Sequence, residues 1–210
     1  TTHEGLWDDM TLQCRGLILD HDTQTVVAAC MRKAFNYEEH VAKGWSIPEE
    51  MPVVTVKYDG WMGALYWLHD EPWIATRGSF TSAGALWATQ WFREQVQRMD
   101  GDELAYWSNP LLTHVFEIIA PVTYILVRYP FEGLVHLAAL NVHGGWDVKM
   151  ESQYCIPRSE IIKADDYRTL TAMSMDNAEG FVCLFPQSNV RIKLKYKEYM
   201  HLHAIVTHLS

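Results

Sequence analysis

The sequence contains no apolar run of about 18 residues, the length that a helix needs to cross a bilayer, so no membrane-spanning segment is expected. It also has no internal repeat and no low-complexity stretch. Its four cysteines, Cys14, Cys30, Cys155 and Cys183, form no Cys-x-x-Cys pair. That spacing argues against a structural zinc site and favours reduced thiols in a cytoplasmic protein.

Positive charge is also scarce relative to negative charge, with 17 Lys and Arg against 26 Asp and Glu and a formal net charge of −9. This balance argues against a broad, non-specific clamp for nucleic acid, which would need a large cationic surface. A small cationic pocket is still compatible with it. Against the overall balance, cations concentrate near the end of the chain, at Arg191, Lys193, Lys195 and Lys197.

With 210 residues, of which 49% are apolar, the chain can fill one domain or two small lobes. The chain begins with Thr1 and its last helical pattern runs up to Ser210, so we expect a longer natural protein. Helical patterns cover 83–99, 165–173 and 196–210, the first ended by Gly101-Asp102. Short apolar runs predict strands at 12–20, 25–30, 53–56, 61–68, 73–77, 111–120, 124–129, 134–142, 179–184 and 190–195. The fold class is therefore α+β, with antiparallel sheets and flanking helices.

The stretch Lys57-Tyr58-Asp59-Gly60 lies between two of these apolar runs, and Gly60 is expected to supply the backbone freedom of a tight turn. A lysine at the end of a strand can extend its ammonium group to solvent, or it can act as a nucleophile if its neighbours keep part of it unprotonated. The motif alone does not decide between these two interpretations.

Further charged residues interrupt apolar strands downstream. Glu117 lies among apolar neighbours, where a carboxylate costs free energy unless it is paired or bound to a cation, and Glu179 begins another strand. In the last strand Arg191, Lys193 and Lys195 alternate with aliphatic residues and so share one face. A solvated edge strand tolerates three such cations, whereas an inward-facing row would need an anion.

Cations and carboxylates together suit a polyanionic ligand with a divalent metal ion, since cations hold phosphates and carboxylates hold magnesium. A lysine among other cations and near Mg²⁺ has its ammonium form disfavoured, which makes the amine nucleophilic. Attack on an α-phosphate, with pyrophosphate leaving, would give a lysyl-nucleotide. The candidates are Arg15, Lys33, Lys57, Asp59, Arg77, Glu117, Glu179, Lys193 and Lys195.

The first of these motifs, Lys57-Tyr58-Asp59-Gly60, resembles motif I (Lys-x-Asp-Gly) of the covalent nucleotidyltransferases, namely DNA ligases, RNA ligases and mRNA capping enzymes. The later motifs follow in order: Thr76-Arg77-Gly78-Ser79 (Ia), Phe116-Glu117-Ile118-Ile119 (III), Glu179-Gly180-Phe181-Val182 (IV) and Lys193-Leu194-Lys195 (V). The upstream Arg15-Gly16 and Lys33-Ala34-Phe35-Asn36, with Tyr199 after motif V, are similar to RNA ligase 1 of T-even bacteriophages.

This resemblance implies a role for each matching residue. Lys57 would be the adenylylated nucleophile, and Arg15 and Lys33 would hold the β- and γ-phosphates of ATP. Arg77 and Glu117 would contact the ribose or phosphate side of AMP, and Lys193 and Lys195 would stabilise charge on the α-phosphate. The residues expected to line the nucleotide pocket are Phe35, Val56, Gly60 and Tyr199. Those expected to organise Mg²⁺ or Mn²⁺, mostly through water, are Asp59, Glu117 and Glu179.

The resemblance further implies an adenylyltransferase domain over residues 1–210, in which two antiparallel sheets face each other across a nucleotide pocket, as in ATP-grasp-like ligase folds. The implied activity is ATP-dependent joining of a 5′-phosphate RNA end to a 3′-hydroxyl, as in the repair of RNA or tRNA. A C-terminal domain or partner subunit absent from this chain would select the RNA. Two alternatives remain: an enzyme that acts on DNA ends or uses GTP, and a nucleotide-binding module without turnover.

Overall fold

The computed structural model describes residues 7–29, 31–148 and 154–209. Its helices are α1 (Tyr37–Lys43), α2 (Ala83–Val96), α3 (Gly101–Trp107) and α4 (Lys197–Leu209). Its first strands are β1 (Ile18–Leu19), β2 (Val26–Ala28), β3 (Phe35–Asn36), β4 (Val53–Lys57), β5 (Trp61–Leu68) and β6 (Glu71–Thr76). The later strands are β7 (Leu112–Ile119), β8 (Gly133–Asn141), β9 (Ile161–Ile162), β10 (Gly180–Phe185) and β11 (Val190–Lys195).

The chain divides into two compact units, each assembled from separate segments. The first unit comprises Thr1–Lys33, Trp61–Thr123 and Phe131–Arg158. The second comprises Ala34–Gly60, Tyr124–Pro130 and Ser159–Ser210. The expected α+β class with antiparallel sheets is confirmed.

The first unit is built on a four-stranded antiparallel sheet in the order β6-β5-β7-β8, with the small hairpin β1-β2 beside it. One side of the sheet packs on α2 and α3 through a core that includes Leu65, Phe92 and Phe116. Side-chain caps fix the starts of both helices, since Ser82 accepts from the Ala85 N–H and Asp100 from the Glu103 N–H.

The second unit is built on a five-stranded sheet in the order β3-β11-β10-β4-β9. Its strand pairs are antiparallel except for β3, which runs parallel to β11. Alternate residues such as Val54, Cys183 and Ile192 point into one apolar core. The opposite face of the sheet therefore carries the intervening residues, and these include the charged positions of β4 and β11.

Several sequence expectations about local structure are wrong. The run 124–129 is not a strand, since the only regular structure beside it is a 3₁₀ turn at Pro121–Thr123. Gly101-Asp102 does not simply end a helix, because Gly101 begins α3 after the Asp100 cap. Within the described ranges, each helix falls short of the length and apolarity that a membrane span requires.

Candidate functional site

The charged face of the second unit is organised by the register of its three central strands. Strand β10 lies between β4 and β11, and Gly180 is the partner of Lys57 on one side and of Lys195 on the other. Since neighbouring strands lie roughly 4.8 Å apart, the two lysine backbones are roughly 10 Å apart, with no side chain between them. Motifs I, IV and V of the sequence therefore meet in a single row across this sheet.

Glu179, the residue before Gly180, joins the two lysines. Its Oε2 lies 2.8 Å from Lys57 Nζ and its Oε1 lies 2.7 Å from Lys195 Nζ. The carboxylate is only 3% exposed, and the lysine side chains are 18% and 17% exposed. Charge-assisted contacts of this length offset the cost of removing three charges from water. Lys57 Nζ also lies 3.3 Å from the Tyr58 carbonyl oxygen, which accepts a further hydrogen bond.

Gly180 is required for this arrangement by two independent constraints. Its φ of +140° is a backbone conformation that side chains with a Cβ rarely adopt. A Cβ at this position would also overlap the carbonyl oxygen of Leu194 on the neighbouring strand. The glycine that needs its freedom is therefore Gly180, whereas Gly60 is not among the described residues of positive φ.

Other predicted pocket residues of the second unit lie on the same sheet. Lys193 is half-buried opposite Val182 and lies on the face of Lys195. Val56 pairs with Phe181, and its carbonyl accepts from Ser159 Oγ at 2.8 Å. Phe35, on the edge strand, packs edge-on against Trp45 at a centroid distance of 4.8 Å, so it belongs to an aromatic cluster.

Asp59 is the second buried carboxylate of this unit, and it is 3% exposed. Its Oδ1 accepts a 2.7 Å hydrogen bond from the hydroxyl of Tyr199 on α4. The ring of Tyr199 in turn has Lys195 Nζ 5.0 Å from its centroid. The second unit therefore brings together Lys57, Asp59, Glu179, Lys195 and Tyr199 through direct contacts.

Four of the predicted residues belong to the first unit. Arg15 and Lys33 are half-buried near the hairpin β1-β2, and Lys33 Nζ lies 5.2 Å from the centroid of the Trp7 ring. Arg77 is exposed in the turn after β6. Glu117 is 8% exposed in the middle of β7, with Met62 and Val135 as its strand partners. Their proposed roles stay predictions.

Sequence reasoning missed the residues that hold the turn after Lys57. Tyr129 accepts a 2.7 Å hydrogen bond from the Asp59 N–H, and the N–H groups of Leu126 and Val127 donate to Asp59 Oδ2. All three lie in the run that the sequence pattern assigned to a strand. The only signal in the sequence was the aspartate of the motif, because a carboxylate that becomes buried needs hydrogen-bond donors from elsewhere in the fold.

The carboxylates could accept a hard divalent cation, since oxygen ligands are what Mg²⁺ and Mn²⁺ prefer. No group of three or more His, Cys, Asp or Glu side chains suited to a metal ion occurs among residues 7–29, 31–148 and 154–209. The described chain therefore offers isolated carboxylates beside lysines rather than a closed cage. This set fits a metal ion that keeps most of its water.

Comparisons with solved structures show what this fold is similar to. An unliganded mutant of an RNA ligase from Naegleria gruberi matches with a TM-score of 0.63 and 12% identity, over 83% of this chain and 57% of that one. A mutant of the same ligase with ATP and Mn matches with a TM-score of 0.60 and 14% identity, over 81% and 56%. A mutant with AMP and Mn gives a TM-score of 0.61 and 13% identity, over 83% and 58%. The chain thus spans a little over half the length of these structures.

At the level of sequence, no curated protein matches this chain. The family model described as RNA ligase, of the T4 RNA ligase 1 type, matches residues 13–201. This match covers most of the chain and includes every residue in the lysine–carboxylate row. The chain therefore belongs to the RNA ligase family of the T4 RNA ligase 1 type.

Proposed function

We propose that this protein is an ATP-dependent RNA ligase, or the adenylyltransferase domain of one, with Lys57 as its nucleophile. The observation that carries the proposal is the pair of lysines held on the single buried carboxylate of Glu179, in a chain of the RNA ligase family. Two amines that share one anion form a site prepared for the phosphates of a nucleotide.

In the first step Lys57 Nζ, after losing a proton, forms a P–N bond to the α-phosphorus of ATP. The bond from that phosphorus to the bridging oxygen breaks, and pyrophosphate leaves. Lys193 and Lys195 lie on the same sheet face as Lys57, which supports the proposal that they balance the charge that develops on the α-phosphate. Phe35, Val56, Gly60 and Tyr199 are proposed to line the nucleotide pocket.

The proposed roles of the first unit rest on the family resemblance. Arg15 and Lys33 would hold the β- and γ-phosphates, and Arg77 would contact the ribose or phosphate side of AMP. The resemblance names Asp59, Glu117 and Glu179 as carboxylates for Mg²⁺ or Mn²⁺, mostly through water, as suits hard oxygen ligands. The ion, when bound, would neutralise phosphate charge. Naegleria ligase structures with ATP and Mn support this choice of cofactors.

Two further steps would complete the reaction. AMP would pass from Lys57 to a 5′-phosphate RNA end, and a 3′-hydroxyl would then attack that end and release AMP. The scattered cysteines support a cytoplasmic location for this activity. Joining such ends would serve the repair of broken RNA, including tRNA. A further domain or partner subunit is proposed to choose the RNA, since the Naegleria structures are longer than this chain.

Labelling with ATP tests the proposal. Protein incubated with α-³²P-ATP and Mg²⁺ should acquire a label that survives alkali and is released by acid, as expected of a P–N bond. Lys57→Ala should lose the label, whereas Lys163→Ala, which changes a lysine outside the row, should keep it. Absence of label on the parent protein, or equal label on Lys57→Ala, would reject the proposal.

The same assay separates the alternatives. Each of the four nucleotides is offered in turn, so that labelling by GTP alone would indicate a different cofactor. Sealing is then compared on 5′-phosphorylated RNA and DNA strands, including a nicked anticodon loop. Binding of ATP without label would instead indicate a module without turnover.

A further inference from the structure

The carboxylate of Asp59 is engaged by three donors of the second unit. Its Oδ2 accepts from the N–H groups of Leu126 at 2.9 Å and Val127 at 2.8 Å, and its Oδ1 accepts from the Tyr199 hydroxyl at 2.7 Å. An ionised carboxylate has about four acceptor positions, so about one remains. With 3% of the residue exposed, little of that capacity faces water.

The backbone of Asp59 is held as well. Its N–H donates to the Tyr129 hydroxyl at 2.7 Å, and the ring of Tyr58 packs against the ring of Tyr129 at a centroid distance of 5.6 Å. The turn that follows Lys57 is therefore fixed on both its backbone and its side chain by the segment Tyr124–Pro130. That segment pairs with no strand, so Asp59 also provides the acceptor for two of its backbone N–H groups.

Tyr199 connects the same turn to α4. Burial, the nearby charge of Glu179 and the hydrogen bond to Asp59 all raise the pKa of Tyr199 above its usual value. In this geometry the hydroxyl donates to the carboxylate of Asp59. The ring also lies against Lys195 Nζ, so Tyr199 contacts both Asp59 and one lysine of the row.

From this geometry we propose that Asp59 is a positioning residue that anchors the Lys57 turn to the segment Tyr124–Pro130 and to Tyr199, rather than a ligand of the metal ion. The inference rests on the proposed function for its catalytic consequence only. It replaces the metal role that the sequence motif assigns to Asp59.

A comparison of Asp59→Asn with Asp59→Ala distinguishes the two roles. The amide oxygen of asparagine can accept from both backbone N–H groups while its NH₂ donates to Tyr199, so the anchor survives without the charge. We expect Asp59→Asn to lower the rate of adduct formation by less than about tenfold, and Asp59→Ala by about a hundredfold or more. The Mn²⁺ concentration that gives half the maximal rate should stay within about twofold of the parent in Asp59→Asn.

The opposite outcome overturns the proposal. If Asp59→Asn needs about tenfold more Mn²⁺ or above for half its maximal rate, and recovers the parent rate at saturating Mn²⁺, then Asp59 is a ligand. Tyr199→Phe provides a second variant that does not depend on Asp59→Ala folding. It should reduce the maximal rate without changing the Mn²⁺ requirement, whereas Tyr66→Phe, which removes a tyrosine hydroxyl from β5 of the first unit, should do neither.

Hydrogen exchange of the protein without nucleotide gives a readout that is independent of activity. The amides of Leu126 and Val127 should exchange about tenfold faster or more in Asp59→Ala, and at nearly the parent rate in Asp59→Asn and Tyr66→Phe. Unchanged exchange in Asp59→Ala would reject the anchor. If the parent protein forms no adduct while Asp59→Ala accelerates exchange, the proposed function and the catalytic consequence fail together, and the anchor alone stands.

Discussion

Each unit contains a buried polar centre, and the two centres differ in the partners that their polar groups contact. In the second unit the carboxylate of Glu179 lies between Lys195 Nζ and Lys57 Nζ, at 2.7 and 2.8 Å. In the first unit His114 Nδ1 lies 3.3 Å from His136 Nε2, and both imidazoles are almost completely buried among aromatic rings. Burial lowers the pKa of His114 to about 4, and burial and the neighbouring imidazole lower the pKa of His136 well below its usual value.

The difference shows what a buried polar group needs in order to stay charged. Glu179 has two cations within hydrogen-bond distance, so its charged form is stabilised where water is excluded. His114 and His136 have carbonyl acceptors instead, at Tyr106 and Ala138, which hold one N–H of each neutral ring. A neighbouring opposite charge, rather than depth of burial, is what separates the two centres.

Gly180→Ala should disturb the ionic centre most. The new Cβ would overlap the Leu194 carbonyl, and the backbone would have to leave its φ of +140°. We expect the free energy of unfolding to fall by about 4 kcal/mol and the adduct to be lost, because the register that aligns Lys57 with Lys195 shifts. Urea denaturation measures the first effect and ATP labelling the second. Gly101→Ala, where a Cβ meets nothing within 4 Å, is the control and should fold like the parent.

Glu179→Gln should have the next largest effect, since it removes the anion and keeps the shape. Two ammonium groups would then share one neutral amide in a mostly buried site. We expect a loss of about 3 kcal/mol in the free energy of unfolding, measured by urea denaturation at pH 7. Glu94→Gln, an exposed residue on α2, is the control. A free energy of unfolding equal to that of the parent would contradict this prediction, because it would show that both ammonium groups become hydrated when the anion is removed.

The histidine pair predicts acid lability of the first unit. A histidine whose folded pKa is lowered takes up a proton more readily when unfolded, so stability is full above about pH 6.5 and is lost as the pH falls toward 4. His114 alone should reduce the free energy of unfolding by on the order of 2 kcal/mol at pH 5. His114→Gln keeps a donor and an acceptor without titrating. It should therefore flatten the pH dependence measured by denaturation between pH 5 and 7, whereas the exposed His21→Gln should not.

Lys195→Met should have the smallest effect on stability, because Glu179 keeps its contact with Lys57. We expect a loss of about 1 kcal/mol or less in the free energy of unfolding, as for other partly exposed ion pairs. The rate of adduct formation should fall by far more than this value implies. A loss of stability as large as that of Glu179→Gln would mean that the two ion pairs act only together.

Much of the charged row was predictable from the sequence, because its residues lie at strand ends in short motifs. Lys57, Glu179 and Lys195 were each predicted, and strand pairing brings them into contact. The roles of Arg15, Lys33, Arg77 and Glu117 remain predictions. The anchor of Asp59 could not be predicted, because backbone amides of an irregular segment leave no pattern in the sequence.

The sequence by itself determined the fold class, the family and the row of charges, since alternation along β11 places its cations on one face in any sheet. Only the tertiary structure decided which carboxylate meets the lysines and which is occupied by neutral donors. Glu179 and Asp59 look alike as buried acids in a motif. Their partners come from other segments of the chain, and contacts between distant segments are fixed by packing and hydrogen bonding rather than by local pattern.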